Sequence, residues 1–200
     1  VGMADVGSGE TDPVAWTAAT VLRMAEALGD DTAKAVLTGC ACRYPTEDLA
    51  DVRAVYLETG SVAAAHAALA AKFERFLRET LGLDGSEVED ILSRGWGLAG
   101  VLDGDTVIAT KIPKSGTLRE YFAEPDPAER RRLYCHCPRV RDAALTPGAV
   151  PALYCYCGAG FYKGVWEDIL GEPVTVEVLE SVLQGGDVCR IAVRLPVHPG

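Results

Sequence analysis

Seven cysteines carry most of the chemistry in this 200-residue chain, and six of them come as Cys-X-Cys pairs. Cys40 and Cys42 stand in GCAC, Cys135 and Cys137 in LYCHCP, Cys155 and Cys157 in LYCYCG, and Cys189 is single, before RIAVRL. In an extended segment, side chains two apart share a face, so Cys-X-Cys sets two sulfurs side by side without a helix. Thiolate-rich sites suit Zn²⁺, Cu(I) or an iron–sulfur centre. A disulfide framework would leave one of the seven thiols over, and a bond closed within Cys-X-Cys would be a strained ring. Burial as small hydrophobes accounts for Cys189 but poorly for three close pairs. A thioredoxin-like relay lacks its spacing, since no pair reads Cys-X-X-Cys. Metal binding is therefore the expectation, zinc first, with an iron–sulfur cluster or copper as alternatives.

The polar residues near the second pair add to this. Lys111, Lys114, Arg119, Arg130, Arg131, Arg132, Arg139 and Arg141 face only Glu120, Glu124, Asp126 and Glu129, a local excess of +4 in a chain of net charge −10. Glu-Arg pairs on a solvated helix face account for the arginines at 130–132. Arg139 and Arg141, just after CHCP, are candidates to offset a charged metal site or to hold a carboxylate or phosphate. His136, between two cysteines, should point away from the sulfurs, which suits an outer or acid–base role better than direct ligation. Lys111 closes an apolar strand and is a candidate site lysine.

These residues must be positioned by two kinds of texture. Up to about residue 95 the chain reads as helices: 12–28 opened by Asp12-Pro13, 31–38, 45–60, an alanine-rich 61–81 with Leu69, Phe73, Phe76 and Leu77 on one face, and one capped by Ser86 with Glu89 in a capping box. From 96 onward the pattern mixes. GWGLAGVLDGD ends in a hairpin turn, 106–112 is a strand, and 117–132 is one or two helices broken at Pro125 and Pro127. A loop covers 142–152. A helix at 157–170 carries Gly160 and Gly164 on one packing face, and strands at 174–182 and 188–195 flank a turn at 185–187. The expected class is α+β, with a helical region at 1–95 packed on a cysteine-rich domain at 96–200.

The whole-chain numbers bound the function. Hydrophobic residues make up 48% and charged residues 24%, an ordinary globular balance. An acidic chain lacks the basic surface that general nucleic-acid binding requires. No apolar run reaches the ~18 to 20 residues of a membrane span, and no leader pattern opens the chain, so the cytoplasm is the expected location.

The segment 154–195, YCYCGAGFYKGVWEDILGEPVTVEVLESVLQGGDVCRIAVRL, resembles the C-terminal half of the 4-vinyl reductase domain superfamily. It is also similar to the end of proteins of the L-2-amino-thiazoline-4-carboxylate hydrolase type. The resemblance implies a small hydrophobic or aromatic ligand and a zinc ion near its pocket. Position by position it maps the helix-opening cysteine to Cys157, the strand glutamate to Glu180 and the last cysteine to Cys189. Two departures accompany it. Leu183 stands where the family often has a second cysteine, and the shorter Glu-to-Cys spacing also admits Glu177. Cys155, two residues from Cys157, is the substitute, which makes Cys155, Cys157, Glu180 and Cys189 the expected zinc ligands. Cys40, Cys42, Cys135 and Cys137 would form a second, all-cysteine site.

Three functions follow as expectations. The first is a metal-containing protein that binds a small molecule between Trp96, Phe161 and Trp166. The second is a zinc-dependent hydrolase or lyase, with His136 or Glu177 moving protons and Lys111 or Arg139 holding a substrate carboxylate. The third is soft-metal handling by the Cys-X-Cys pairs. The expected partner is a small-molecule ligand or substrate, with neither nucleic acid nor membrane; a homodimer is among the possible assemblies.

Overall fold

Asp12 and Pro13 open the first helix as their types dictate. The Asp12 carboxylate accepts from Val14 N at 2.9 Å and proline occupies the first helical position of α1 (Pro13–Leu28). The computed structural model describes residues 12–196; the outer ends of the two expected regions, 1–11 and 197–200, lie outside the described residues. Gly29 (φ 78°) separates α1 from α2 (Asp30–Gly39). A 3₁₀ turn (Thr46–Leu49) leads into α3 (Ala50–Thr59), and α4 (Val62–Arg75) starts at Ser61, whose hydroxyl accepts from Ala64 N at 3.2 Å. The expected helix over 61–81 does not stay α-helical. It runs into a π-turn, Phe76–Thr80, closed by Leu81 N donating to Phe76 O at 3.1 Å. The turn starts at Phe76, whose own N–H still donates to Lys72 O, and Phe76 is exposed beside the buried stripe of Leu69, Phe73 and Leu77. The next capping box also differs from expectation. Asp84 and Glu87 form it at the start of α5 (Gly85–Ser93), with the Asp84 carboxylate accepting from Glu87 N and Glu87 accepting from Asp84 N. Asp84 precedes Ser86 and is already followed three residues on by an acid, so the helix begins two residues earlier.

The second half supplies the sheet. β1 (Val101–Asp103) and β2 (Thr106–Thr110) form a hairpin over Gly104 (φ 59°). Two helices follow, α6 (Leu118–Ala123) and α7 (Pro127–Tyr134), split at the prolines as expected. The longest late helix, α8 (Tyr156–Leu170), leads into β3 (Thr175–Glu180) and, after a 3₁₀ turn (Val182–Gln184), β4 (Arg190–Arg194). The sheet is antiparallel throughout, in the order β1-β2-β4-β3, with Val107 opposite Val193 and Ala109 opposite Ile191. The fold is α+β.

Two packed clusters hold it. In the first, α3, α4 and α8 cover the sheet, with Leu49, Leu69, Val107, Trp166, Ile169 and Val193 all essentially inaccessible. Each such side chain contributes about 1.5–3 kcal/mol relative to exposure. In the second, the turn after α4 and helices α5–α7 meet the β3–β4 connection around Leu77, Ile91, Trp96, Tyr134 and Val182. Residues from both sides of position 95 enter both clusters. Gly160 sets the α2–α8 contact, because a Cβ there would lie 2.2 Å from Thr38 O.

Candidate functional site

Where the two clusters adjoin, side chains leave a cavity of about 750 Å³. Its wall is mostly apolar, including Phe73, Phe76, Leu98, Phe161, Tyr162 and Ile191. Gly97 (φ 125°) belongs to this wall, and only glycine fits there: a Cβ would fall 2.1 Å from the Phe73 ring. Six of the seven cysteines line the same cavity: Cys42, Cys135, Cys137, Cys155, Cys157 and Cys189. Cys40 is exposed just outside, on the loop after α2.

Three separated segments are locked together at its floor. Tyr134, the last residue of α7 and fully buried, donates its hydroxyl hydrogen to Lys111 O and accepts from Cys189 N at 3.1 Å. Lys111 N in turn donates to Cys189 O at 3.0 Å. The chain leaves α7 in an extended conformation at Cys135, so His136 turns away from the flanking sulfurs and donates from Nε2 to Ile112 O at 2.8 Å. Cys137 then shares a hydrogen bond with the Tyr154 hydroxyl at 3.1 Å. The two tyrosines of the repeated Leu-Tyr-Cys-X-Cys thus act as ties, one across the floor and one between the two pairs.

The third pair behaves differently from an extended Cys-X-Cys. Cys155 ends a 3₁₀ turn (Ala152–Cys155) and Cys157 lies in the first turn of α8. On helical backbone, side chains two apart do not face each other. The Cys155 thiol bonds Ser181 Oγ at 2.8 Å and is electrostatically close to Cys189 and Cys135, whereas Cys157 is close to Cys137, Cys42 and Cys40. Cys135 is close to both Cys189 and Cys137, so the thiols form a gradient from an inner group (Cys135, Cys155, Cys189) to an outer group (Cys40, Cys42, Cys137, Cys157). Each of the last two pairs is divided between them. Gly158 lies in the first turn of α8, within the expected helix. Its missing side chain leaves room for Lys111: a Cβ would be 2.8 Å from Lys111 Nζ.

Burial sets the charge state of this wall. It pushes the Cys135 thiol up to about 11 and the Cys155 thiol up to about 12, and it raises Cys157 and Cys189 as well. Burial likewise raises the phenols of Tyr134, Tyr154 and Tyr162. His136 titrates below its ordinary value, first because the surrounding protein desolvates it and then because Lys111, Lys114 and Arg141 repel its charged form. At neutral pH these thiols, phenols and the imidazole are uncharged.

The remaining expected residues fall in several places. Glu180 lines the cavity, but its Oε1 accepts from Asp187 N at 3.0 Å and Val188 N at 3.4 Å, and its Oε2 lies 3.8 Å from Arg190. It closes the turn between β3 and β4. Glu177 is on the exposed side of β3, 3.5 Å from Arg194, and is not part of the cavity wall. Trp96 packs edge-on against Tyr121 and Tyr134, and Trp166 stacks on His66; both belong to the packed clusters and not to the wall, unlike Phe161. Arg139 borders a smaller cavity of about 310 Å³ beside α1. The Arg141 Nε is buried without a hydrogen-bond partner. Among the described residues, no group of three or more His, Cys, Asp or Glu side chains is arranged to hold a metal ion. Of the four expected ligands Cys155, Cys157, Glu180 and Cys189, Glu180 is engaged by the turn, and Cys155 and Cys157 lie on helical backbone that does not set their thiols side by side.

Sequence reasoning missed Tyr134, Tyr154 and Gly158. The signal was in LYCHCP and LYCYCG themselves, where the tyrosine is repeated as faithfully as the cysteines. No helix among the described residues is long and apolar enough to cross a membrane. No protein-family model matches the chain, and neither does a curated protein or a solved structure.

Proposed function

We propose that the protein binds one small, largely apolar molecule in the cysteine-walled cavity. The observation that carries this is the cavity itself: about 750 Å³, bounded by aromatic and aliphatic side chains with a few polar groups among them. That volume and that lining are those of ordinary small-molecule sites. The neutral thiols extend the apolar wall, because an uncharged thiol is a small polarisable hydrophobe. The test is titration with the uncharged dye N-phenyl-1-naphthylamine. Saturable, blue-shifted fluorescence at one dye per chain is expected, and a linear, unsaturable signal would refute the proposal.

A second reading is soft-metal binding, favoured by the gathering of six thiols on one cavity. Zinc, copper(I) or an iron–sulfur centre would require these thiols to lose protons and to move closer together than they stand. Elemental analysis and visible absorption of anaerobically prepared protein decide this. Stoichiometric metal that survives dialysis supports the reading, and seven titratable thiols with no metal overturn it.

A further inference from the structure

We infer that the molecule taken by this cavity is an amphipathic carboxylate, its acid group held by Lys111 and its apolar body lying toward Phe73, Phe76 and Phe161. This rests on the cavity being a binding site, as proposed above. Two lysines line the wall. Lys72 is already paired with Asp51 at 3.1 Å. Lys111 has no carboxylate within 4.0 Å among the described residues, and no hydrogen bond engages its ammonium group. Its side chain is nevertheless placed, since Tyr134 and Cys189 fix its backbone and the bare face of Gly158 receives its tip. The volume that a side chain at Gly158 would fill is taken by the ammonium group.

Two carboxylates line the same wall, Asp48 and Glu180, and neither lies within 4.0 Å of that group. The nearby thiols and phenols are neutral, and Glu180 is held by backbone N–H groups and Arg190. Lys114, Arg139 and Arg141 stand close enough to influence His136 or Tyr154, and none of the three forms an ion pair among the described residues. The Arg141 Nε is also buried without a partner. One corner of an acidic chain is thus locally positive, the arrangement that draws in an anion. Lys111 is the one of the two wall ammonium groups without a carboxylate partner among the described residues, and one such group in a mostly apolar wall suits a monoanion with a hydrophobic body. A phosphate dianion would need more donors than this wall presents.

The experiment is displacement of bound N-phenyl-1-naphthylamine by three ligands with one ring system: 1-naphthylacetic acid, 2-(1-naphthyl)ethanol and 1-(1-naphthyl)ethylamine. The acid is expected to displace the dye at about tenfold lower concentration than the alcohol, with the amine weakest. In Lys111→Met the acid and the alcohol should reach parity, and Lys111→Arg should restore the preference for acid. Parity in the unaltered protein overturns the inference while leaving the cavity proposal standing. A preference that survives Lys111→Met removes Lys111 from the role. Failure of the dye and all three competitors to bind overturns the cavity proposal itself, and the two failures are therefore distinguishable.

Discussion

The inner and outer thiols share one cavity but stand in different surroundings. Cys189 is held through its backbone by the Tyr134 hydroxyl and Lys111 N, Cys155 by the Ser181 hydroxyl and Cys135 by the end of α7, and burial keeps the three thiols protonated. Cys40 and Cys42 are exposed on the loop after α2, and that loop is attached to the rest through the close approach of Gly160 to Thr38. Cys137 and Cys157 lie between, one bonded to Tyr154 and the other in the first turn of α8. Residue type is constant across this gradient, so the difference is one of environment. A thiol on an exposed loop is available for chemistry, and the same group behind an aromatic wall is packing material until something changes its surroundings.

The comparison breaks most easily on reactivity. With iodoacetamide at pH 8, mass spectrometry of the native protein should find Cys40 and Cys42 alkylated at least about a hundredfold faster than Cys135 and Cys155. Equal rates would mean that the inner wall opens on the labelling timescale. A slightly smaller effect is expected from Gly160→Ala, whose methyl group would collide with Thr38 O. Overpacking of this kind costs about 1–3 kcal/mol, read as a lower unfolding midpoint, with Cys157 labelling rising toward the rate of Cys42. An unchanged midpoint would show that α2 is not seated on α8 as described. Tyr134→Phe addresses the inner group. It strips Lys111 O and Cys189 N of their shared partner at a cost of about 2 kcal/mol, and denaturant unfolding together with faster Cys189 labelling measures it. The smallest effect is pH-dependent. His136 titrates below its unfolded value, so its contribution to stability is complete above about pH 6.5 and is lost as pH falls through the lower folded value. Melting temperature against pH should therefore fall less steeply between pH 7 and 5 in His136→Gln than in the unaltered protein. Identical slopes would show that His136, which is exposed at the cavity, titrates alike in the folded and unfolded chains.

Much of the fold was legible because local chemistry decides local structure. Asp12-Pro13 opened a helix, Pro125 and Pro127 separated two, and the alternation in TVEVLE made a strand, each for reasons contained within a few residues. The misplacements were also local. Ser86 and Glu89 competed with Asp84 and Glu87 as capping pairs only two residues away, and backbone geometry selected the earlier pair. The π-turn after α4 left no mark in the alanine-rich pattern, because one added residue in a turn shifts the register of the residues that follow without changing composition. At the site, the cysteines, Lys111, His136 and Phe161 were conspicuous by type. Trp96 and Trp166 were conspicuous too, yet a large aromatic side chain serves a packed cluster as readily as a cavity wall, and spacing does not separate the two roles.

The sequence by itself determined the α+β class, most helix and strand positions, and the presence of three thiol pairs beside a basic stretch, since these follow from periodicity, capping and composition. Only the tertiary structure decided which thiols meet. Cys-X-Cys places two sulfurs together when the backbone is extended and apart when it is helical, and Cys155 and Cys157 fall on helical backbone because α8 and its leading turn extend to them. Tertiary contacts also gave Lys111 its setting. Its ammonium group rests on a glycine 47 positions away, beneath a tyrosine 23 positions away. Local sequence carries no information about neighbours brought together across such distances, since the packing of whole helices against a sheet places them there.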